Sequence, residues 1–587
     1  METIQKALAA YWGYDSFMPL QKQAMECIVR RQDSIVVLPT GGGKSLCYQA
    51  PAVAMPGVAI VVSPLISLMK DQVDALIECG VPAARIDSSL SAKENREIIA
   101  KVYGQKLKLL YLSPERLLSD GFCDILKKVQ LSFIAIDEAH CVSMWGHDFR
   151  PEYRQLSLLK NIFPDVTIGA YTATATEHVR NDIAKQLGLK KPEILIGSFD
   201  RPNLVYKVEP RGEIVRQVCR ILDRHKDESG IIYCIRRKDV DGMFADLTAR
   251  GYSAAPYHAG MDDEERRANQ EAFIKEKVNT IVATIAFGMG IDKSNVRYVI
   301  HAGMPKSLEH YQQESGRAGR DGLEAECSLF HSGADYGIWK YLMEQMPPPA
   351  HKIAMAKLNE MYNYCTGGVC RHKAILEYFG QNLNKDNCMA CDVCLGEFDG
   401  IADPLITAQK ILSCVVRVEQ RFGGAYVALV LTGSKDKRII ENNHQTLSTY
   451  GLLSEHHHRA VHNWIEQLAG QGCIEKEGEY NVLKVTAKGW EVLKGKQSPR
   501  LLVPMQKQEK EVKIAKVAAD AWEGVDKGLF DALRKLRAAI ADKKKIPAFV
   551  VFGDATLRDM ARRKPSTLGS FLEVKGVGEK KCQQYGG

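Results

Sequence analysis

Short apolar runs recur along the first half of the chain, and most show no polar alternation. Ile35-Val36-Val37-Leu38, Ile60-Val61-Val62, Leu109-Leu110-Tyr111-Leu112 and Leu131 to Ile136 (broken by Ser132) form a first set. Ile231-Ile232-Tyr233-Cys234-Ile235, Thr280-Ile281-Val282-Ala283-Thr284 and Val296-Arg297-Tyr298-Val299-Ile300 form a second. Strands apolar on both faces belong inside a parallel sheet covered by helices, and segments such as Ile66 to Ile77 suit those helices. The pattern predicts two successive α/β units, 1–202 and 203–345. It then changes. Val461, Trp464, Ile465 and Leu468 mark one face of a helix, followed by two strands around a turn at Glu477-Gly478-Glu479. Residues 346–400 and 401–495 are expected to form two further modules. Residues 496–520, polar with Pro499 and Pro504, are expected to be a linker, and 521–587 a small basic helical module.

The strand ends carry the chemistry. Thr40-Gly41-Gly42-Gly43-Lys44-Ser45 follows the first run and precedes a helix-compatible segment. In such a strand–turn–helix, glycines let backbone N–H groups wrap a polyphosphate. Lys44 is then placed for the β- and γ-phosphates and Ser45 for Mg²⁺. The strict pattern wants a glycine where Leu38 stands. The run ending at Ile136 delivers Asp137-Glu138-Ala139-His140, with Asp137 expected to hold Mg²⁺ and Glu138 to orient and deprotonate the attacking water. Together these predict a nucleoside triphosphatase. Gln21 could pair with an adenine edge through its amide, though a solvated helix glutamine fits its position equally well.

Three further stretches suit a nucleic-acid partner. Ser63-Pro64, Ser113-Pro114 and Thr172-Ala173-Thr174-Ala175-Thr176 place hydroxyls at the carboxyl edge of the sheet, where single-strand phosphates could bind. The loop from Cys141 to Tyr153 carries Trp145, Phe149 and Tyr153 with Arg150 at neither strand nor helix period, as expected of a platform for unpaired bases. Arg317 and Arg320, three apart, would share a helix face. Brought across a cleft to the first unit's γ-phosphate, they would act as arginine fingers.

Composition adds bounds. Apolar residues make up 45% and charged residues 26%, as in ordinary soluble globular protein, and the net charge of +8 agrees with a polyanionic partner without requiring one. No apolar run is long enough to span a membrane, and Met1 to Lys6 lack signal-peptide features, so a cytosolic protein is expected. The 16 cysteines should then be free thiols or metal ligands. Cys388, Cys391 and Cys394, with one distal cysteine, supply four thiolates for a structural Zn²⁺ without an open water position. Cys370, Cys365 and His372 compete for the fourth place. His456-His457-His458 reads as a solvated helix entry rather than a metal site.

In order, Thr-Gly-Gly-Gly-Lys-Ser, Asp-Glu-Ala-His, the aromatic loop, Thr-Ala-Thr-Ala-Thr and Gln-Glu-Ser-Gly-Arg-Ala-Gly-Arg-Asp-Gly resemble the motifs of RecQ-family DNA helicases of superfamily 2. The resemblance implies two RecA-like lobes, a helical zinc module, a winged-helix domain and an HRDC-like module whose closing helix should begin where the chain stops at Gly587. It implies an ATP-driven 3′→5′ translocase that separates duplex and forked DNA in repair, recombination and replication-fork maintenance. The alternative is a DNA-stimulated translocase or annealing factor that does not unwind. It supports adenine contact for Gln21 and DNA contact for Trp145, Phe149 and Arg150. It favours Cys370 as fourth zinc ligand, because Cys370-Arg371 through Tyr378-Phe379-Gly380 resembles the family's zinc helix, and it makes Tyr480 the candidate wedge at the hairpin tip. Single-stranded and forked DNA are the expected partners, with single-strand DNA-binding protein as a candidate. A monomer at the nucleoid in the bacterial cytoplasm is expected, with no membrane association.

Overall fold

The structure is a computed structural model describing all residues except 120, 147, 289–292, 397, 478–480, 505–521, 545 and 587. Strands β1 (Ser34–Val37), β2 (Val58–Val62), β3 (Ala83–Ile86), β4 (Leu109–Leu112), β5 (Leu131–Ile136), β6 (Ile168–Thr172) and β7 (Glu193–Ile196) form one sheet, ordered β3-β4-β2-β5-β6-β1-β7. Every pair is parallel. The apolar runs β1, β2 and β4 are buried along their length, whereas the edge strands β3 and β7 are partly open. A second parallel sheet, ordered β10-β11-β9-β12-β13-β8, contains β8 (Leu204–Pro210), β9 (Ser229–Tyr233), β10 (Ala254–Tyr257), β11 (Thr280–Ala283), β12 (Val296–His301) and β13 (Ala325–His331). The two RecA-like lobes follow. Because β6 lies between β5 and β1, their carboxyl ends open side by side.

The zinc module covers the edge of β8. Tyr206 exchanges backbone hydrogen bonds with Ala390 and Asp392 (3.1 and 2.9 Å), which removes an exposed edge. Buried Arg371 forks onto Asp392 at 2.9 and 3.1 Å, and Asp392 also accepts from the Val208 amide at 2.9 Å.

In the next module, β14 (Phe398–Gly400) precedes helices Pro404–Arg417, Gly424–Leu431 and His458–Gly470. The hairpin β15 (Ile474–Glu477) and β16 (Val482–Val485) follows. Val461, Trp464, Ile465 and Leu468 are all buried, and the His457 ring caps the helix by accepting from the Arg459 amide. The expected linker starts later than 496. β17 (Leu502–Pro504) pairs antiparallel with β14, and the Gln467 side chain satisfies both the amide and the carbonyl of buried Leu502 at 2.8 and 2.9 Å. A proline as its last residue hid so short a strand.

The last module packs helices Lys527–Lys544, Asp554–Arg563 and Glu579–Tyr585 around Phe530, Leu557, Met560 and Cys582. It docks on the second lobe through alternating charges. Arg558 forks onto Glu324 at 2.8 and 2.9 Å, the Trp522 indole donates to the same carboxylate at 2.9 Å, and Asp554 lies between Arg537 (2.7 Å) and Arg297 (3.9 Å) of the lobe. Hydrogen bonds to charged groups are worth about 1.5–3 kcal/mol each. Glu324→Ala should therefore release the module, raising the radius of gyration in small-angle scattering; an unchanged radius would refute the docking.

Candidate nucleotide and nucleic-acid site

The loop after β1 folds as it does because three glycines permit it. Gly41 and Gly43 have φ of +85° and +71°, and a Cβ on Gly42 would lie 2.9 Å from the Pro39 carbonyl oxygen. Leu38, where the strict pattern wants glycine, is buried and donates its amide to the Thr172 carbonyl at 3.1 Å, so the departure leaves the turn intact. Gln21 is buried rather than solvated. Its amide oxygen accepts from the Met18 amide (2.8 Å), and its nitrogen donates to the Gly43 carbonyl (3.2 Å).

Lys44 Nζ stands 3.1 Å from Glu138 Oε1 and 3.5 Å from Asp137 Oδ1. Burial disfavours the Lys44 charge, but Glu138 and then Asp137 outweigh it and hold its pKa above the ordinary value. Burial raises the Asp137 carboxyl above the usual range despite the opposing Lys44 charge. Glu138 has a left-handed φ of +48°, and its amide donates to Asp137 Oδ1 at 3.0 Å. A non-glycine residue in that conformation stores strain that its surroundings must hold. His140 is fully buried, with Nδ1 2.9 Å from Thr172 Oγ1 and 3.4 Å from Glu138 Oε2. Burial, then the charges of Lys44, Lys357 and Arg150, push its pKa well below the usual imidazole value, so the ring is neutral.

A supporting layer escaped sequence reasoning. Gln72 donates to Ser45 Oγ at 3.0 Å, Tyr111 donates to Gln72 Oε1 at 3.0 Å, and Tyr48 donates to Asp137 Oδ2 at 3.2 Å. Ser45 and Asp137 are thus oriented by uncharged groups. The available signal was Tyr48 itself, three residues beyond Ser45 on the helix Leu46–Ala54.

The aromatic loop is not one uniform platform. Trp145 is 40% exposed and meets His178 edge-on at 4.3 Å, and Phe149 is half-buried under Arg154 at 5.5 Å. Tyr153 is buried and donates to the Asp137 carbonyl at 3.2 Å. Arg150 bonds the Pro64 carbonyl at 2.9 Å and Asp148 at 3.2 Å, so it ties the loop to the Ser63-Pro64 turn. Lys357, also missed, donates to the Trp145 carbonyl at 2.7 Å and pairs with Glu309 of the second lobe at 2.8 Å.

Arg317 and Arg320 do not share a helix face, because the helix Leu308–Ser315 ends before them. They sit in a turn forced by Gly319 (φ +55°), where a Cβ would come within 2.5 Å of the Asn203 side chain. Arg317 is buried beside Tyr233 and Gly288. The turn abuts the phosphate loop: a Cβ on Gly316 would lie 3.4 Å from Thr40 Cβ, and one on Gly41 would lie 3.6 Å from Arg320 Cα. Tyr480 lies outside the described residues.

The ligand atoms of Cys370, Cys388, Cys391 and Cys394 all lie within 4.8 Å of one another. Thiol hydrogen bonds from Cys388 and Cys391 lower the Cys370 pKa, while Cys370 and Cys391 raise that of Cys388. Four thiolates without a remaining water position suit structural Zn²⁺. The competitors are committed elsewhere. Cys365 is buried outside the cluster, and His372 contacts Asp200 (2.8 Å) through Nδ1 and the Leu204 and Ala390 carbonyls (3.1 and 3.2 Å) through Nε2.

Two parallel-sheet lobes that press a phosphate loop against an arginine-bearing turn define the two-lobed motor class. Family models match in the same order: DEAD/DEAH box helicase (18–183), helicase conserved C-terminal domain (213–322), RecQ zinc-binding (333–395), RQC domain (400–511) and HRDC domain (526–587). The chain is 42% identical to the ATP-dependent DNA helicase RecQ of Pasteurella multocida over 100% of its length and 92% of the relative's. To the protein of that name in Bacillus subtilis it is 42% identical, over 99% and 97%. Among solved structures, the Mycobacterium smegmatis helicase Lhr bound to ssDNA and AMP-PNP has a TM-score of 0.47 at 15% identity, covering 83% of this chain and 60% of that one. The chain belongs to the RecQ helicase family.

The purified protein should carry one zinc per chain by metal analysis. Cys391→Ser should lose it and Cys365→Ser retain it; zinc loss from the latter would reverse the ligand assignment.

Proposed function

We propose that the protein is an ATP-dependent DNA helicase that moves 3′→5′ along single-stranded DNA and separates the duplex ahead of it. The observation that carries this is the contact between lobes: the phosphate loop of one, whose Lys44 meets the acid pair, abuts the Arg317–Arg320 turn of the other, and an aromatic loop begins where the acid pair ends. The full-length likeness to ATP-dependent DNA helicases supports ATP and DNA as the substrates.

In this mechanism Lys44 exchanges its carboxylate partners for the β- and γ-phosphates, and Gln21 exchanges its Met18 and Gly43 partners for the adenine edge. Ser45 and Asp137, already oriented by Gln72 and Tyr48, would hold Mg²⁺, which neutralises phosphate charge. Glu138, freed from Lys44, takes the proton of the attacking water, and Arg317 and Arg320 meet the charge that develops on the γ-phosphate. Neutral His140 stands beside Glu138 without competing for that charge. Trp145 and Phe149 stack on unpaired bases, with Arg150 keeping the loop against the Pro64 turn, so strand occupancy reaches the acid pair through the loop's own backbone. The role in repair, recombination and fork maintenance, the single-strand DNA-binding protein partner, the monomeric state and the nucleoid location rest on family membership alone. Among the described residues no helix is long and apolar enough to cross a membrane.

Unwinding of a forked duplex should require a 3′ tail and vanish in Lys44→Ala, whose turnover should fall about 100-fold or more. Hydrolysis stimulated by DNA without strand displacement would favour the translocase alternative. Base stacking is worth about 1–3 kcal/mol per base. Trp145→Ala should therefore bring DNA-stimulated turnover down to the DNA-free rate, and intact stimulation would remove the sensor role.

A further inference from the structure

The connector between the lobes, residues 197–203, carries an arginine that none of the motifs singled out. Arg201 Nη1 donates to the Thr40 carbonyl of the phosphate loop at 2.7 Å and to the Gly316 carbonyl at 3.3 Å. Its Nη2 donates to the carbonyls of Ala318 and Gly319 at 3.0 and 2.9 Å, and Nε donates to Asn203 Oδ1 at 3.4 Å. One guanidinium therefore holds three carbonyls of the arginine-bearing turn and one of the phosphate loop.

Capping a helix C-terminus explains part of this. Terminal carbonyls lack intrahelical partners and favour a cation. A cap needs only Gly316, the residue that ends the helix Leu308–Ser315; Ala318 and Gly319 lie beyond it in the arginine-bearing turn. A cap does not need Thr40, which belongs to the other lobe and makes the shortest bond of the set. Nor is the connector a slack tether. Phe199 stacks on Phe379 at 4.3 Å, its amide donates to Gln381 at 2.9 Å, and Asp200 pairs with His372 at 2.8 Å, so the zinc module aims Arg201. Asn203 completes the device by donating to the Gly319 and Leu323 carbonyls at 2.9 and 2.8 Å.

We infer that Arg201 is a positioning residue that locks the Arg317–Arg320 turn onto the phosphate loop in the closed, hydrolysing arrangement. Opening that separates Thr40 from Gly316 must break the Nη1 contacts, so the clamp biases the cleft toward closure without touching nucleotide. This rests on the proposed role of Arg317 and Arg320 at the γ-phosphate.

The test compares DNA-stimulated hydrolysis by full-length Arg201→Gln, Arg201→Lys and Asn203→Ala with that of Arg317→Ala and Arg320→Ala. A displacement near 1 Å can cost about 100-fold in rate. Arg201→Gln should lose about 10- to 100-fold in kcat, with KM for ATP and the melting temperature nearly unchanged. Affinity for ADP with aluminium fluoride should fall by the same factor as kcat while affinity for AMP-PNP holds. Arg201→Lys should restore part of the rate and Asn203→Ala show a smaller loss. Unchanged kcat, or a lower melting temperature with kcat intact, would overturn the clamp. Should Arg201→Gln fail to fold, Asn203→Ala decides: full kcat refutes the proposal and a selective kcat loss upholds it. Full activity in Arg317→Ala and Arg320→Ala would instead sink the finger assignment, whatever Arg201 does.

Discussion

Every strand in both large sheets runs parallel to its neighbours, so the carboxyl ends of β1, β5 and β6 open on one edge and everything chemical in the first lobe is placed there. Placing β6 between β5 and β1 brings Thr172 between the acid pair and the phosphate loop. From there it accepts or donates to His140 through its hydroxyl and receives the Leu38 amide through its carbonyl. Strand order, rather than any single side chain, makes a residue of the threonine motif a neighbour of both halves of the site.

The electrostatics follow from burial at that edge. Lys44 is nearly enclosed and stays charged because Glu138 and Asp137 face it. A charge pair of this kind is poor at adding stability, since desolvation offsets much of the attraction. It serves an exchangeable site better: the lysine that phosphate would claim is also the group that keeps Glu138 occupied. The uncharged Tyr48, Gln72 and Tyr111 layer orients Ser45 and Asp137 without adding charge that would compete.

The zinc module is part of the same frame. Arg371 and Asp392 close the edge of β8, while His372, Phe379 and Gln381 fix the connector that carries Arg201. The module that the four cysteines draw together thereby also holds the connector between the lobes. Lys357, on the helix that leads into this module, likewise joins the aromatic loop to Glu309 beside the arginine turn.

The sequence by itself determined both α/β units, the phosphate loop, the acid pair and three of the four zinc cysteines, while family resemblance supplied Cys370 and the identity of the later modules. The former rest on contiguous residues whose spacing encodes their geometry: apolar runs bury strands, glycines turn at positive φ, and thiolates at tight spacing converge. Edge strands β3 and β7, and β17 with a proline as its last residue, were illegible because partial exposure or brevity erased the period. Only the tertiary structure decided that Arg317 and Arg320 leave the helix, that Tyr153 and Arg150 support the aromatic loop from beneath, and that His372 is committed to backbone carbonyls. It alone revealed Arg201, whose partners lie 161 and 115 to 118 positions away. Backbone carbonyls are identical at every residue, so no side-chain pattern could announce which of them a guanidinium would hold.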